Sequence, residues 1–307
     1  MKSGFAEGVA AVLVAVVLWG SQLPVAKDVF SVVDPFMVTA IRYGFGTLFL
    51  VAFCAWREGA PALRYYGRFW PATLAGVIGM CLSPLLVFVG MSLSSPEHAA
   101  IIIALQPSMT ALAGWAVRDR RPAKFTIGCV ALAFGGVVVA VTKGDPALMH
   151  GKNVLVGDLV VLAGAICWVT FTMAIENFKG WSALRFTTLT LIPGALASVA
   201  IAAVLLAAGI TRSPGAAALV SVGWQLSYLT LGGVVVAMLC WSAGNQRIGA
   251  LNSMLLVNFL PVVTFAVRFA QGHRFEAMEL AGALIVIGAL VVNNLYLRRA
   301  AEPLPPR

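Results

Sequence analysis

Charge is the scarcest property of this sequence. Only 11% of its 307 residues are Asp, Glu, Lys or Arg, against 60% hydrophobic residues and a mean hydropathy of +0.93. A soluble domain would carry about a quarter charged residues, so this is a membrane chain. Acids are rarer than bases, 12 against 21. The basic excess lies between apolar runs, where it orients helices in a bilayer, and forms no stripe that would fit nucleic acid. The five cysteines, Cys54, Cys81, Cys129, Cys167 and Cys240, sit singly inside apolar runs. That excludes CxxC metal or redox chemistry and makes them small packing residues.

Catalytic signatures are missing too. There is no GxxxxGK[ST] loop, no HExxH and no GxSxG, so neither ATP hydrolysis nor these hydrolytic chemistries are encoded. No aspartate pair sits in an apolar run, which argues against a membrane prenyl-transfer enzyme or aspartyl protease. His98, His150 and His273 are far apart and near loops, and read as interfacial histidines. The expectation is a protein that is not an enzyme and needs no cofactor or metal.

What is present is a series of apolar spans. Runs free of acid and base cover 8–26, 43–56 (to 35 if Arg42 is tolerated), 69–96, 98–117, 125–142, 159–175, 186–211, 213–246, 248–267 and 280–297. A spanning helix needs roughly 20 residues, so ten spans are predicted in an all-α fold. The first run, Gly8–Ala26, could pass for a secretory signal, but its length and the spans that follow make it a retained helix. The 213–246 run is too long for one helix. Its first part, with Pro214, Gly215 and Gly223, is expected to be loop.

Two stretches are copies. Shifted by 154 residues, Trp70, Gly79, Gly90, Pro107, Arg120 and Gly128 fall on Trp224, Gly233, Gly244, Pro261, Arg274 and Gly282. Gly8, Leu13 and Trp19 fall on Gly157, Leu162 and Trp168 at an offset of 149, and Arg42 on Arg185 at 143. The chain thus divides into halves of five spans, 1–150 and 151–307. Lys and Arg number thirteen on the side of the N-terminus and six on the other, which predicts cytoplasmic termini. Because five is odd, the second half enters from the opposite side. Such inverted repeats give a transporter two related states, with the cargo held where the repeats meet.

Candidate residues follow from that geometry. Pro107 and Pro261 lie within spans and free a carbonyl each, with Gln106 and Asn258 close by. They read either as helix bends or as broken helices at a substrate site. Trp19 and Trp168 lie deep within their spans, where an indole N–H needs a partner. Gln22 shares a helical face with Trp19. The expected site places Trp19 and Trp168 on opposing walls, with Trp115, Phe171, Trp241 and Phe259 as further aromatic candidates. Arg42 and Arg185 lie about two turns from a helix end, close enough to reach headgroups. Glu7 and Glu176 read as interfacial acids. Glu7 becomes a coupling candidate only if the first helix enters the cavity end-on. Gly128, Gly135-Gly136, Gly282 and Gly288 suggest that the fifth and tenth spans pack together as a scaffold.

This pattern resembles the drug/metabolite transporter superfamily, EamA-type. LWGSQLPVAK, AIRYGFGTL, ALQPSMTAL with its copy LLVNFLPVVTF, and the Gly-rich closing spans carry the resemblance across nearly the whole chain. Within it the chain looks like the YddG-type exporters of aromatic and other amino acids. The resemblance implies a cavity lined by the first, third, fourth, sixth, eighth and ninth spans, and selects Trp19, Gln22, Gln106, Trp168 and Asn258. Four-helix multidrug relatives carry a mid-span glutamate in their first helix; here the nearest acid is Glu7. The expectation is a monomeric, multi-pass inner-membrane exporter of amino acids or other amphipathic metabolites. It meets small solutes and lipid, and works by alternating access as a facilitator. Proton-coupled export of cationic drugs and a passive pore remain as alternatives.

Overall fold

The computed structural model describes residues 2–118, 123–143 and 152–301. Every regular element among them is helical. Eight helices are long and apolar enough to cross a membrane. In chain order the ten spans are α1 Lys2–Val29, α2 Pro35–Glu58, α3 Phe69–Leu93, α4 in two pieces, Pro96–Ile103 and Gln106–Arg118, and α5 Lys124–Thr142. The second half supplies α6 Asn153–Phe178, α7 Ala183–Ala207, α8 Gly223–Ala250, α9 Asn252–Ala270 and α10 Ala277–Ala301. The boundary expected at 150/151 lies outside the described residues.

Local chemistry sets these ends. Asp34 caps α2 by accepting from the Phe36 amide, with Pro35 in the first turn. Ser95 caps α4 through the His98 amide, and Ser182 caps α7 through that of Arg185; such caps satisfy amides the helix leaves unbonded. Between α8 and α9 the chain turns at Gly249, whose φ of 81° suits glycine. Residues 213–222 are not all loop: Ala216–Ser221 forms a short helix ahead of α8, as the alanine run allows.

The packing is two-fold. α1 lies along α8, and its image α6 lies along α3. Glycine pairs permit both contacts. A methyl group on Gly244 would sit 2.8 Å from the Gly8 carbonyl oxygen, and one on Gly157 would sit 2.6 Å from that of Gly90. In lipid there is little hydrophobic drive between helices, so backbone approach of this kind holds the bundle. The self-symmetric pairs are α2 with α7 and α5 with α10. The latter confirms the expected scaffold, though only Gly136 and Gly282 form its contact. Gly128, Gly135 and Gly288 have open space around them.

The repeat also shares a defect. α3 carries a π-helical stretch at Val77–Leu82 and α8 one at Tyr228–Val236; shifted by 154 residues, the first falls inside the second. Such segments widen a helix and recur at functional sites. α4 breaks at Ala104–Leu105 and α9 passes through a 3-10 turn at Val257–Phe259, each just before its proline. The prolines therefore begin new helical pieces.

Candidate functional site

A cavity of about 80 Å³ lies between the repeats, lined by α1, α2, α3, α4, α6, α8 and α9. Four of these seven carry the repeat defects: α3 and α8 bear the π stretches and α4 and α9 the proline breaks, while α1 docks on the π stretch of α8. The Trp19 indole Nε1 donates to the Gly233 carbonyl at 3.0 Å, inside that stretch. Gly233 has no side chain because Gln22 occupies the space: an added Cβ would strike Gln22 Oε1.

The polar lining comes from the first repeat, as Gln22, Arg42, Tyr43, Ser83 and Gln106, set among apolar residues of that same repeat such as Leu23, Val87 and Phe88; the second repeat gives Trp168, Met238, Val257 and Leu260. Arg42 corrects the sequence reading. It does not reach toward headgroups; it is 1% exposed and lies between the Phe88 and Tyr43 rings, 4.5 and 5.2 Å from their centroids. Its Nη2 donates to Gln22 Oε1 at 3.1 Å, while Nε and Nη1 have no hydrogen-bond partner among the described residues. Arg185 behaves as expected of a residue near a helix end. It donates to the Arg64 carbonyl and packs over Tyr66 and Trp181.

Trp19 and Trp168 do not face each other across the site. Their rings touch, centroids 5.1 Å apart, and Trp241 completes the cluster at 5.2 and 5.7 Å. Trp19 and Trp168, packed edge to face, form an apolar floor of the cavity, and the buried Trp241 backs them. Phe171 packs behind Trp168. Phe259 is 54% exposed and points out of the bundle, and the Trp115 side chain lies outside the described residues. Gln106 is buried and on the wall. Asn258 is buried with both amide atoms unpartnered among the described residues, but is not among the lining residues. Glu7 lies at the bundle end that carries the N-terminus, where Arg247 approaches it at 3.9 Å, away from the cavity.

The opposite end holds what the sequence reading missed. There Lys27 Nζ donates to the carbonyls of Met91, Ser92 and Ser94 at 2.7, 3.0 and 2.7 Å. Ser94 donates to Asp158 at 2.5 Å, and His98 meets the same carboxylate at 3.2 Å. Arg268 donates to Glu97 at 2.6 Å. His98, Glu97 and Asp158 are buried, so His98 is part of a network and not a simple interfacial histidine. These bonds join α1, α3, α4, α6 and α9 beyond the cavity. Cross-repeat bonds at the N-terminal end, such as Arg68 to the Asn177 carbonyl and Ser182 to Glu58, are exposed. Asp158 escaped notice because α6 begins before the apolar run at 159 and carries it inside.

No group of metal-ligating side chains occurs among the described residues, and the cavity residues offer no acid–base pair. The arrangement can bind and release a solute.

The model of the EamA-like transporter family matches the sequence at residues 6–142 and 155–295. The chain is 31% identical to the "uncharacterized transporter YrdR" of Bacillus subtilis (strain 168), over 94% of this chain and 91% of that one. It is 26% identical to the "uncharacterized transporter YyaM" of the same organism, over 90% of each. A solved crystal structure superposes with a TM-score of 0.71 over 97% of this chain and 99% of the other. At 21% identity that likeness establishes the fold alone.

Proposed function

Since the chain belongs to the EamA-like transporter family, a branch of the drug/metabolite transporters, we propose that it exports small amphipathic metabolites, amino acids among them, by alternating access across the inner membrane. The observation that carries this reading is the cavity at the repeat junction, where a polar cluster from the first repeat sits among apolar side chains of both repeats. A solute with one polar end and an aromatic or branched body matches that lining.

The protein works as a monomer in lipid, with both termini cytoplasmic, and makes or breaks no bond in its cargo. The buried network at the far end then shuts the external exit while the N-terminal end retains exposed contacts, a shape suited to loading from the cytoplasm. A closed end speaks against a passive pore. Transport is facilitative: among the described residues no carboxylate lines the cavity, and Glu7 lies outside it, so proton exchange at the cargo site has no evident carrier.

Reconstituted protein should show saturable flux and counterflow of amphipathic solutes. Trp19→Ala and Trp168→Ala should impair both while leaving membrane insertion intact. Flux that is linear in concentration and without counterflow would establish a pore instead. Accumulation driven by an imposed pH gradient and lost in Glu7→Gln would overturn the facilitative mechanism.

A further inference from the structure

We infer that the cavity selects its cargo by a carboxylate, with Arg42 as the reading group and with no requirement for an amine. The inference rests on the transporter reading above and narrows it from amphipathic solutes to monoanionic amphipathic acids.

Four observations converge. The Arg42 side chain is almost wholly buried, and a buried cation without a counter-charge is costly. The two rings and Gln22 supply part of the compensation. Nε and Nη1, which carry most of the guanidinium N–H donors, remain unpartnered among the described residues. Arg42 itself lines the cavity. A planar fork of donors in a space of low dielectric is built for a planar, bidentate anion.

Charge counting sets the ligand class. Among the described residues that line the cavity, Arg42 is the only Lys, Arg or His, and none is Asp or Glu. One cation neutralises one negative charge. A phosphate, near two charges at neutral pH, would leave a buried excess; a carboxylate would not. A cation would bring like charge into the same space. An ammonium group would find hydroxyl, amide and indole partners there but no counter-ion, so a zwitterionic amino acid should bind more weakly than the corresponding acid without the amine. The indole floor and Met238, Val257 and Leu260 take the body.

The cavity volume of about 80 Å³ holds several waters. A cargo the size of an aryl acid must displace them and spread the walls.

The test is a ligand series of one shape: 3-phenylpropanoate, phenylalanine, 3-phenylpropanamide and 3-phenylpropylamine. Their binding to the purified protein is measured by calorimetry, and their ability to support counterflow in liposomes is compared. The acid should bind at least ~30-fold more tightly than the amide, the size of effect that loss of one buried ionic contact produces. The amine should bind least. Arg42→Gln should bring acid and amide to the same weak affinity, and Arg42→Lys should restore part of the preference. Should Arg42→Gln fail to fold, the wild-type series with Arg42→Lys decides the matter. Equal affinity for acid and amide, or preference for the amine, would overturn the inference while leaving the transporter reading intact. A preference for the acid that persists unchanged in Arg42→Gln would remove Arg42 from the role. If no member binds or exchanges, and no other amphipathic solute does, both the inference and the cargo-site reading fail.

Discussion

The two repeats share a backbone and differ where the cargo is met. Gln22 of α1 has Phe171 as its image in α6; Trp241 of α8 has Val87 in α3; Arg42 of α2 has Arg185 in α7. In each pair one member is polar or large where the other is not, or is buried where the other reaches the surface. The glycine contacts, the π stretches and the proline breaks are kept in both halves. The lesson is a division of labour. On the transport reading proposed above, what must work from both sides of the membrane, the hinges and sliding contacts, stays symmetric, and what must recognise one cargo is built once: the polar lining comes from the first repeat alone, and both repeats share the apolar lining.

The sharpest way to break this comparison is to remove each arginine in turn. Arg42→Gln should lower counterflow of an amphipathic acid by ~30-fold or more, since it deletes a buried ionic contact. Arg185→Gln, at the membrane surface, should leave flux within about two-fold, as surface charges contribute little. Equal losses would mean that the halves are functionally equivalent.

The next test probes what the repeats share. Gly90→Val and Gly244→Val press a branched side chain on the same contact in the two halves, one against Gly157 and Val161, the other against Gly8 and Val12. Each should lower unfolding stability in detergent by ~1–3 kcal/mol, and by similar amounts. Gly128→Val, with nothing around it, should not.

A smaller difference separates the paired tryptophans. Trp19 donates to the Gly233 carbonyl, whereas the Trp168 side chain makes ring contacts. Trp19→Phe should cost about 1 kcal/mol more than Trp168→Phe in a thermal unfolding series, the net value of one hydrogen bond. A reversed order would show that packing outweighs the bond.

The smallest effect lies outside the membrane. Lys143 donates to Glu276 at 2.9 Å, linking the end of α5 to the segment before α10. That bond raises the Lys143 pKa above its ordinary value, against partial desolvation. A raised lysine pKa stabilises the fold at every pH below the unfolded value, about 10.4, and the benefit disappears as pH climbs through the folded value. The Glu276 side chain is well exposed and that of Lys143 partly so, so Lys143→Ala should cost no more than ~0.5 kcal/mol at neutral pH and nothing in high salt. A larger loss would give the α5–α10 pair a role beyond scaffolding.

Much of this was legible in the sequence. Helix number, the inverted repeat and the α5–α10 pairing followed from apolar runs and offsets, because in lipid the backbone must bond to itself and helices follow composition. The arginines show where such reading stops. Both lie near the end of an apolar run, and depth was judged from that end. The caps held the better signal. Arg185 is three residues past Ser182, in the first turn, but Arg42 is eight past Asp34, about 12 Å from its cap at 1.5 Å per residue. The touching of Trp19 and Trp168 was not legible, since it depends on how two helices cross. Asp158, Glu97 and His98 were hidden for a related reason: a network of charges ends an apolar run, so its members look like loop.

One consequence of the Arg42 position is electrical. In the transport cycle proposed above, a fixed positive charge sits in the part of the molecule that faces one side of the membrane and then the other. Filled with a monoanion the cavity is neutral; empty, it is charged. The empty return step therefore moves charge through the membrane field, which acts on it with up to ~2.3 kcal/mol per 100 mV. An interior-negative potential draws the empty carrier back toward the cytoplasm and thereby drives net exit of the acid without any proton. For a zwitterion the same charge travels in both steps and cancels. In vesicles clamped with potassium and valinomycin, net efflux of an acid should steepen with voltage, whereas its one-for-one exchange should not.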